Sequence, residues 1–156
     1  MDYWDERHLR YAIEVAKLSR EHGNRPFGAV LVGPSGARLI VAENTQVTER
    51  DCTGHAETNL MRFASAQFDR DHLARCTLYA STEPCAMCAG AIYWGNVRRI
   101  VFALDEATLS QFIGDDPENV QLNLPAAQVF AAGRFSVELI GPALLEEALA
   151  VHEGFW

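Results

Sequence analysis

The chain has 156 residues, 49% hydrophobic and 22% charged, and it lacks a run of about 18 apolar residues that would predict a membrane-spanning helix. Its 13 Lys and Arg against 21 Asp and Glu give a net charge of −8, which disfavours a nucleic-acid partner because such proteins neutralise phosphates with cations. The start lacks an apolar signal segment, and four cysteines with one close pair do not resemble a disulfide framework. We expect a single cytoplasmic domain over residues 1–156, with no membrane partner.

Hydrophobic periodicity predicts helices and strands along most of the chain. The first helix ends at Gly23-Asn24, and two apolar runs joined by a Gly-Pro-Ser-Gly-Ala turn predict a β-hairpin. The order α-β-β-α-β-α-β-β-α predicts an α/β fold of three layers, α/β/α, around a mixed sheet of about five strands. The predicted ranges, in that order, are 5–22, 27–33, 38–44, 55–68, 76–81, 85–94, 98–104, 134–140 and 142–155.

Cys85 and Cys88 stand three residues apart in the stretch Thr-Glu-Pro-Cys-Ala-Met-Cys. Such a pair could be a redox pair, half of a structural zinc site or half of a catalytic one. A structural zinc site would need a second close pair of Cys or His, and the other cysteines, Cys52 and Cys76, are far apart in the sequence. We interpret Cys52 as a loop residue and Cys76 as a strand residue.

The stretch Gly-His-Ala-Glu-Thr supplies a further ligand and a carboxylate. His55 begins one predicted helix, and Cys85 and Cys88 share a face of another because residues i and i+3 are neighbours. Three protein ligands leave a tetrahedral zinc one open position for water, as in catalytic sites. Zinc-bound hydroxide would then attack the substrate, with Glu57 as proton shuttle, to hydrolyse a C–NH2 group on an electron-poor ring. A non-enzymatic zinc module is the alternative, although it would have no use for Glu57.

His-Ala-Glu at 55–57 and Pro-Cys-Ala-Met-Cys at 84–88 together match the H-x-E…P-C-x-x-C signature of zinc deaminases. The chain resembles the cytidine deaminase-like superfamily over nearly its whole length, and within it most closely the bacterial guanine deaminases. The resemblance implies the cytidine deaminase-like fold and a Zn2+ cofactor. The features that point to the guanine deaminases are Pro26-Phe27-Gly28, Asn44, Ala91-Ile92-Tyr93-Trp94, Asp115-Asp116 and an aromatic C-terminus.

The resemblance implies a homodimer that deaminates a free amino-substituted nucleobase, guanine to xanthine plus ammonia. Apolar side chains would form the walls of the pocket and polar ones would hydrogen-bond to the purine. Phe155 or Trp156 would close over the base, in its own subunit or in a neighbouring one. The residues implied to contact the substrate are Phe27 and Trp94 as walls, Asn44 and Asp116 as hydrogen-bonding groups, and Ala56 and Trp156.

Several other substrates stay open at this point. They are cytosine or cytidine, another amino-purine or nucleoside, a related heterocycle and, disfavoured by the net charge, adenosine in tRNA. Residues 105–130 match the guanine deaminases only around Asp115-Asp116, and we expect this segment to help line the pocket. The remaining histidines, His8, His22, His72 and His152, are interpreted as surface residues.

Overall fold

The structure, a computed structural model, describes residues 1–156 and contains seven helices and five strands. None of the helices combines the length and the apolar character needed to cross a membrane. In chain order the elements are α1 (Tyr3–Glu21), β1 (Gly28–Val32), β2 (Arg38–Glu43), α2 (Ala56–Gln67), α3 (Arg70–Leu73), β3 (Thr77–Thr82), α4 (Ala86–Trp94), β4 (Arg99–Leu104), α5 (Glu106–Ile113), α6 (Ala126–Ala131), β5 (Glu138–Ile140) and α7 (Leu145–Ala150).

The five strands form one mixed sheet in the order β2-β1-β3-β4-β5. β1 pairs antiparallel with β2 and with β3, while β3, β4 and β5 run parallel. The predicted mixed sheet of about five strands is therefore confirmed. Because β3 and β4 are parallel neighbours, their carboxyl ends meet at the same edge of the sheet, which is where ligands bind in open α/β sheets.

Helices cover both faces of the sheet and form two hydrophobic cores. Along β1, Ala29 and Leu31 face the core that contains α2, α3, α4 and α6, whereas Val30 and Val32 face the core that contains α1, α5 and α7. This alternation is the period of two expected of a strand buried on both faces. At the start of β1, a side chain on Gly28 would come within 2.5 Å of the backbone oxygen of Ala12, so only glycine permits the close packing of α1.

Two predicted elements are shorter than their apolar patterns suggest. The predicted strand 134–140 pairs only from Glu138 onward, because Phe135 instead stacks on Tyr93 of α4 at 4.5 Å. The predicted helix 142–155 is helical only over α7, and the following residues form turns in which Arg20 donates hydrogen bonds to backbone oxygens. The segment 105–130, for which no element was predicted, contains α5 and all but the last residue of α6.

A buried ion pair ties α1 to the middle of the sheet. The Asp5 carboxylate, on a residue only 3% exposed, accepts hydrogen bonds from Tyr79 at 2.7 Å and from Arg99 at 2.8 and 2.9 Å. The Arg99 guanidinium holds the pKa of Asp5 well below its usual range, although burial opposes the shift. His8 packs beside Tyr79 and is 7% exposed, so the expectation that it lies on the surface is wrong.

We expect Asp5→Asn to lower the free energy of unfolding by about 3 kcal/mol, because it leaves Arg99 without its buried partner. The lowered pKa of Asp5 means that its contribution is full above the unfolded value of about 3.9 and is lost as pH falls below it. Urea unfolding should therefore show a large difference from wild type at pH 7 that shrinks below pH ~4. Glu6→Gln, which breaks an exposed pair with Arg10, is the control and should change stability far less. Equal effects of the two substitutions would contradict the prediction.

Candidate active site

Two helix N-termini meet at the carboxyl edge of the sheet. His55 is the N-cap of α2 and Cys85 is the N-cap of α4, positions where Ser, Thr, Asp or Asn is usual. Neither side chain caps its own helix. Both point instead toward a common centre that Cys88, one turn into α4, also reaches.

The spacing of these three side chains fits a zinc ion. His55 Nδ1 lies 3.5 Å from Cys85 Sγ and 3.6 Å from Cys88 Sγ, and one ligand atom from each residue lies within 4.8 Å of the others. Bonds of about 2.0 Å to nitrogen and about 2.3 Å to sulfur at a tetrahedral angle place those atoms about 3.5 Å apart. The nitrogen and two sulfurs are also donors that zinc prefers, so the donor set and its spacing agree.

The pKa values of the two thiols and of His55 are shifted in a way that favours the binding of a cation. The nearby Cys88 thiol, and then His55, lower the pKa of Cys85 to about 4 despite its burial. The same pairing and burial raise the pKa of Cys88, and contact with Cys85 raises the pKa of His55. The three ligands thus share protons. A metal ion would displace these protons, because metal binding releases protons from the ligands.

Glu57 lies beside the cluster without belonging to it. Glu57 is 5% exposed, and its Oε2 accepts a 3.4 Å hydrogen bond from the Cys88 thiol. Burial, and then the nearby Cys85, raise the pKa of Glu57 to about 7. A carboxyl group with that pKa can both take and release a proton near neutral pH, which is the requirement for a general acid and base.

A cavity of about 340 Å³ opens above this cluster. The size lies within the range typical of small-molecule sites. Apolar side chains from α5, from the following loop and from residues near both chain ends form much of its wall. The side chains that line it include His55, Glu57 and Cys85 at the metal cluster, Phe27, Leu109, Ile113 and Trp156 among the apolar residues, and Arg25, Gln46, Cys52, Thr82, Glu83 and Glu106 among the others.

Trp156 lines the cavity of its own chain. Its Nε1 donates a 3.1 Å hydrogen bond to Nδ1 of His152, and its ring lies 6.2 Å from that of Phe27. His152 is 1% exposed, so the expectation that it lies on the surface is wrong, and burial lowers its pKa to about 4. The imidazole is therefore neutral at pH 7 and can accept the hydrogen bond that positions Trp156.

Comparison with known proteins identifies the chemistry. Residues 2–104 match the family model of the cytidine and deoxycytidylate deaminase zinc-binding region. The chain belongs to this deaminase family. It is a zinc-dependent deaminase with the cytidine deaminase-like α/β fold, and its reaction class is hydrolysis of a C–N bond.

Relatives of this deaminase are described with three different substrates. It is 36% identical to a "Probable cytosine deaminase" of Schizosaccharomyces pombe over 97% of this chain and 92% of that one. It is 39% identical to a tRNA-specific adenosine deaminase of Haemophilus influenzae over 66% of this chain and 60% of that protein. The structure of a guanine deaminase from Nitrosomonas europaea matches with a TM-score of 0.74 and 26% identity over 92% of this chain and 80% of that one.

The structure brings only two of the six predicted substrate residues to the cavity, Phe27 and Trp156. The expected wall residue Trp94 is 76% exposed, because α4 begins at the metal cluster and its ninth residue lies about 13 Å farther along the axis. Asp116 instead forms a turn, accepting hydrogen bonds from the Glu118 backbone N–H at 2.9 Å and from Asn119 at 2.6 Å.

The other two predicted residues are buried behind the cavity wall. Asn44 is 0% exposed, and its amide exchanges hydrogen bonds with Gln46, at 2.8 Å to the side chain and 3.0 Å from the backbone N–H. Gln46 lines the cavity in its place. Ala56, also 0% exposed, is the first residue of α2 and packs into the core.

Two acidic residues of the deaminase that line the cavity were missed from the sequence, Glu83 and Glu106. Glu83 follows β3 and Glu106 begins α5, just beyond β4. Their signal is positional, because polar residues directly after parallel strands lie at the edge of the sheet where ligands bind. The pairing of β3 with β4 that would have revealed this cannot be obtained from local periodicity.

Proposed function

We propose that this deaminase acts on a free amino-substituted nucleobase and converts guanine and water to xanthine and ammonia. The observation that carries the proposal is Glu57, buried beside a three-ligand cluster in a cavity of about 340 Å³. A structural zinc site has four protein ligands and no use for such a carboxylate. The likeness to the Nitrosomonas europaea guanine deaminase and the sequence features shared with that group support guanine as the substrate.

Each residue then has a defined role. His55, Cys85 and Cys88 would hold zinc, and the zinc would supply an activated water as nucleophile. Glu57 would carry a proton from that water to the amino group, so that the C–N bond breaks and ammonia leaves. Phe27 and Trp156 pack against the flat ring and exclude solvent, which strengthens the polar contacts within the cavity.

Ammonia release from a panel of purines, pyrimidines, nucleosides, pterins and triazines tests the proposal. We expect guanine to give the highest kcat/KM, with xanthine as product. Cytosine is the second candidate, favoured by the long match to the Schizosaccharomyces pombe relative. A higher kcat/KM for cytosine than for guanine would make cytosine the assigned substrate. Deamination of a tRNA adenosine alone would overturn the free-base proposal. A homodimer and a cytoplasmic location stay predictions from the sequence.

We expect deletion of residues 154–156 to lower kcat/KM at least about tenfold, a loss of roughly 1.4 kcal/mol of transition-state stabilisation, while zinc content stays unchanged. The reason is that Trp156 lines the cavity, and in the proposed function its ring excludes water from the bound base. Steady-state kinetics with metal analysis measures the effect. Trp156→Ala should reproduce most of the loss, whereas Trp4→Ala is the matched control because Trp4 is an exposed tryptophan on α1, outside the cavity.

Mixing the truncated chain with a Glu57→Gln chain tests where the tail acts. A tail that covers its own cavity, as in this structure, restores no activity in the mixture. Recovery of activity would mean that the tail of one subunit completes the site of another. Unchanged kinetics in the truncated chain would limit residues 154–156 to packing.

A further inference from the structure

One wall of the cavity is built from the carboxyl ends of β3 and β4. Thr82 and Leu104 are register partners in these strands, and the residues that follow them place Glu83 and Glu106 side by side. Glu83 has a clear structural role, since its carboxylate accepts hydrogen bonds from the backbone N–H groups of Glu106 and Ala126, each at 3.0 Å. It thereby joins the starts of α5 and α6 to the end of β3.

Glu106 has no comparable role. Its backbone N–H binds Glu83, but its own half-buried carboxylate receives no hydrogen bond within the chain, and it lines the cavity. The carboxylate is thus partly withdrawn from water and faces the cavity without a donor from the chain. Charged groups in such surroundings are normally paired, so the missing donor is expected from outside the chain.

Thr82 provides an independent sign of a missing partner in the same wall. The residue is 2% exposed, and its hydroxyl has no hydrogen-bond partner although it lines the cavity. Nearly all buried polar side-chain atoms have a partner, and exceptions are concentrated where a ligand, water or ion supplies it. Two unpaired polar groups at the ends of adjacent strands thus mark one face of the substrate site.

We propose that Glu106 determines specificity by accepting a hydrogen bond from a ring N–H of the substrate, while the Thr82 hydroxyl bonds to the same ring. This inference rests on the proposed function and narrows its substrate class to neutral heterocyclic bases with a ring N–H. A base in which that nitrogen carries a methyl group or a sugar would leave the carboxylate buried and unpaired, which a polar site disfavours strongly. The negative charges of Glu83 and Glu106 would also repel a substrate phosphate in this part of the cavity.

Glu106→Ala tests the proposal by steady-state kinetics with guanine. We expect kcat/KM to fall at least about tenfold, chiefly through KM, because a charge-assisted hydrogen bond is lost. Zinc content and Tm should stay at wild-type values. Glu106→Gln keeps an acceptor oxygen and should recover part of the loss. Glu146→Ala is the matched control, since Glu146 also stands in the first turn of a helix but is exposed on α7.

Guanines methylated at N1, N7 or N9 separate recognition from a structural role. The methyl group at the accepted nitrogen should cost wild type at least about tenfold, and Glu106→Ala should then cause no further loss with that compound. Additive losses for all three compounds would overturn the proposal. If Glu106→Ala fails to fold, Thr82→Val serves instead, with an expected loss of about threefold or more for guanine; no loss would count against the proposal.

The two proposals can fail separately. If wild type deaminates guanine but Glu106→Ala matches it, the assignment of Glu106 is wrong and the proposed function stands. If wild type deaminates no free base, the proposed function is wrong, and calorimetric binding of guanine, which needs no turnover, still tests Glu106. Weaker binding by the Ala variant would support its role in recognition; equal binding, or none by wild type, would overturn it.

Discussion

Glu57→Gln should lower kcat on the order of 10²-fold or more, while the purified variant keeps its zinc and binds substrate. Glutamine has nearly the same shape, and Glu57 is not one of the three metal ligands, so the metal cluster is preserved. It cannot take a proton from water or deliver one to the departing amino group. Because Glu57 is 5% exposed, solvent has little opportunity to replace it as the proton carrier.

Stopped-flow or steady-state ammonia release, together with zinc analysis, measures this effect. Glu14→Gln, an exposed glutamate on α1, is the control for the chemical change alone and should leave kcat unchanged. Near-normal turnover by the Glu57 variant would show that proton transfer needs no carboxylate here. Loss of zinc would instead show that Glu57 acts by supporting the ligands.

Cys88→Ala should remove most of the zinc and lower activity at least about 10³-fold. The remaining pair, His55 and Cys85, offers too few ligands for a stable site, and without zinc the attacking water keeps a pKa near 15.7 rather than about 7. The variant should also unfold at a lower temperature, because a metal that binds only the folded state stabilises it.

Cys76→Ala is the matched control for the loss of a buried cysteine. Cys76 is 1% exposed and Cys88 is 0% exposed, but Cys76 lies outside the cavity. Cys76 precedes the first residue of β3, so the expectation that it is a strand residue is wrong. The substitution should lower stability through lost packing and leave the zinc content unchanged. Full zinc content and full activity in Cys88→Ala would refute the ligand assignment, whatever the control does.

The sequence alone was sufficient for the local features of this deaminase. A short apolar run bounded by turn residues marks strands such as β1, and a period near 3.6 marks helices such as α1, because side-chain direction follows directly from local backbone geometry. The closeness of Cys85 and Cys88 could also be predicted, because residues three apart share a helical face wherever the helix lies. The His55, Cys85 and Cys88 cluster followed from chemistry, as few donor sets leave zinc an open position.

Only the tertiary structure decided which side chains face the substrate. Trp94 is an aromatic residue of the kind that forms pocket walls, but it lies at the far end of α4 and is exposed. The Asp116 carboxylate accepts hydrogen bonds within a turn. Glu106 has no sequence motif, yet the parallel pairing of β3 with β4 brings it to the cavity beside Glu83. The physical reason is that a cavity wall depends on contacts between residues distant in sequence, and local periodicity carries no information about those contacts.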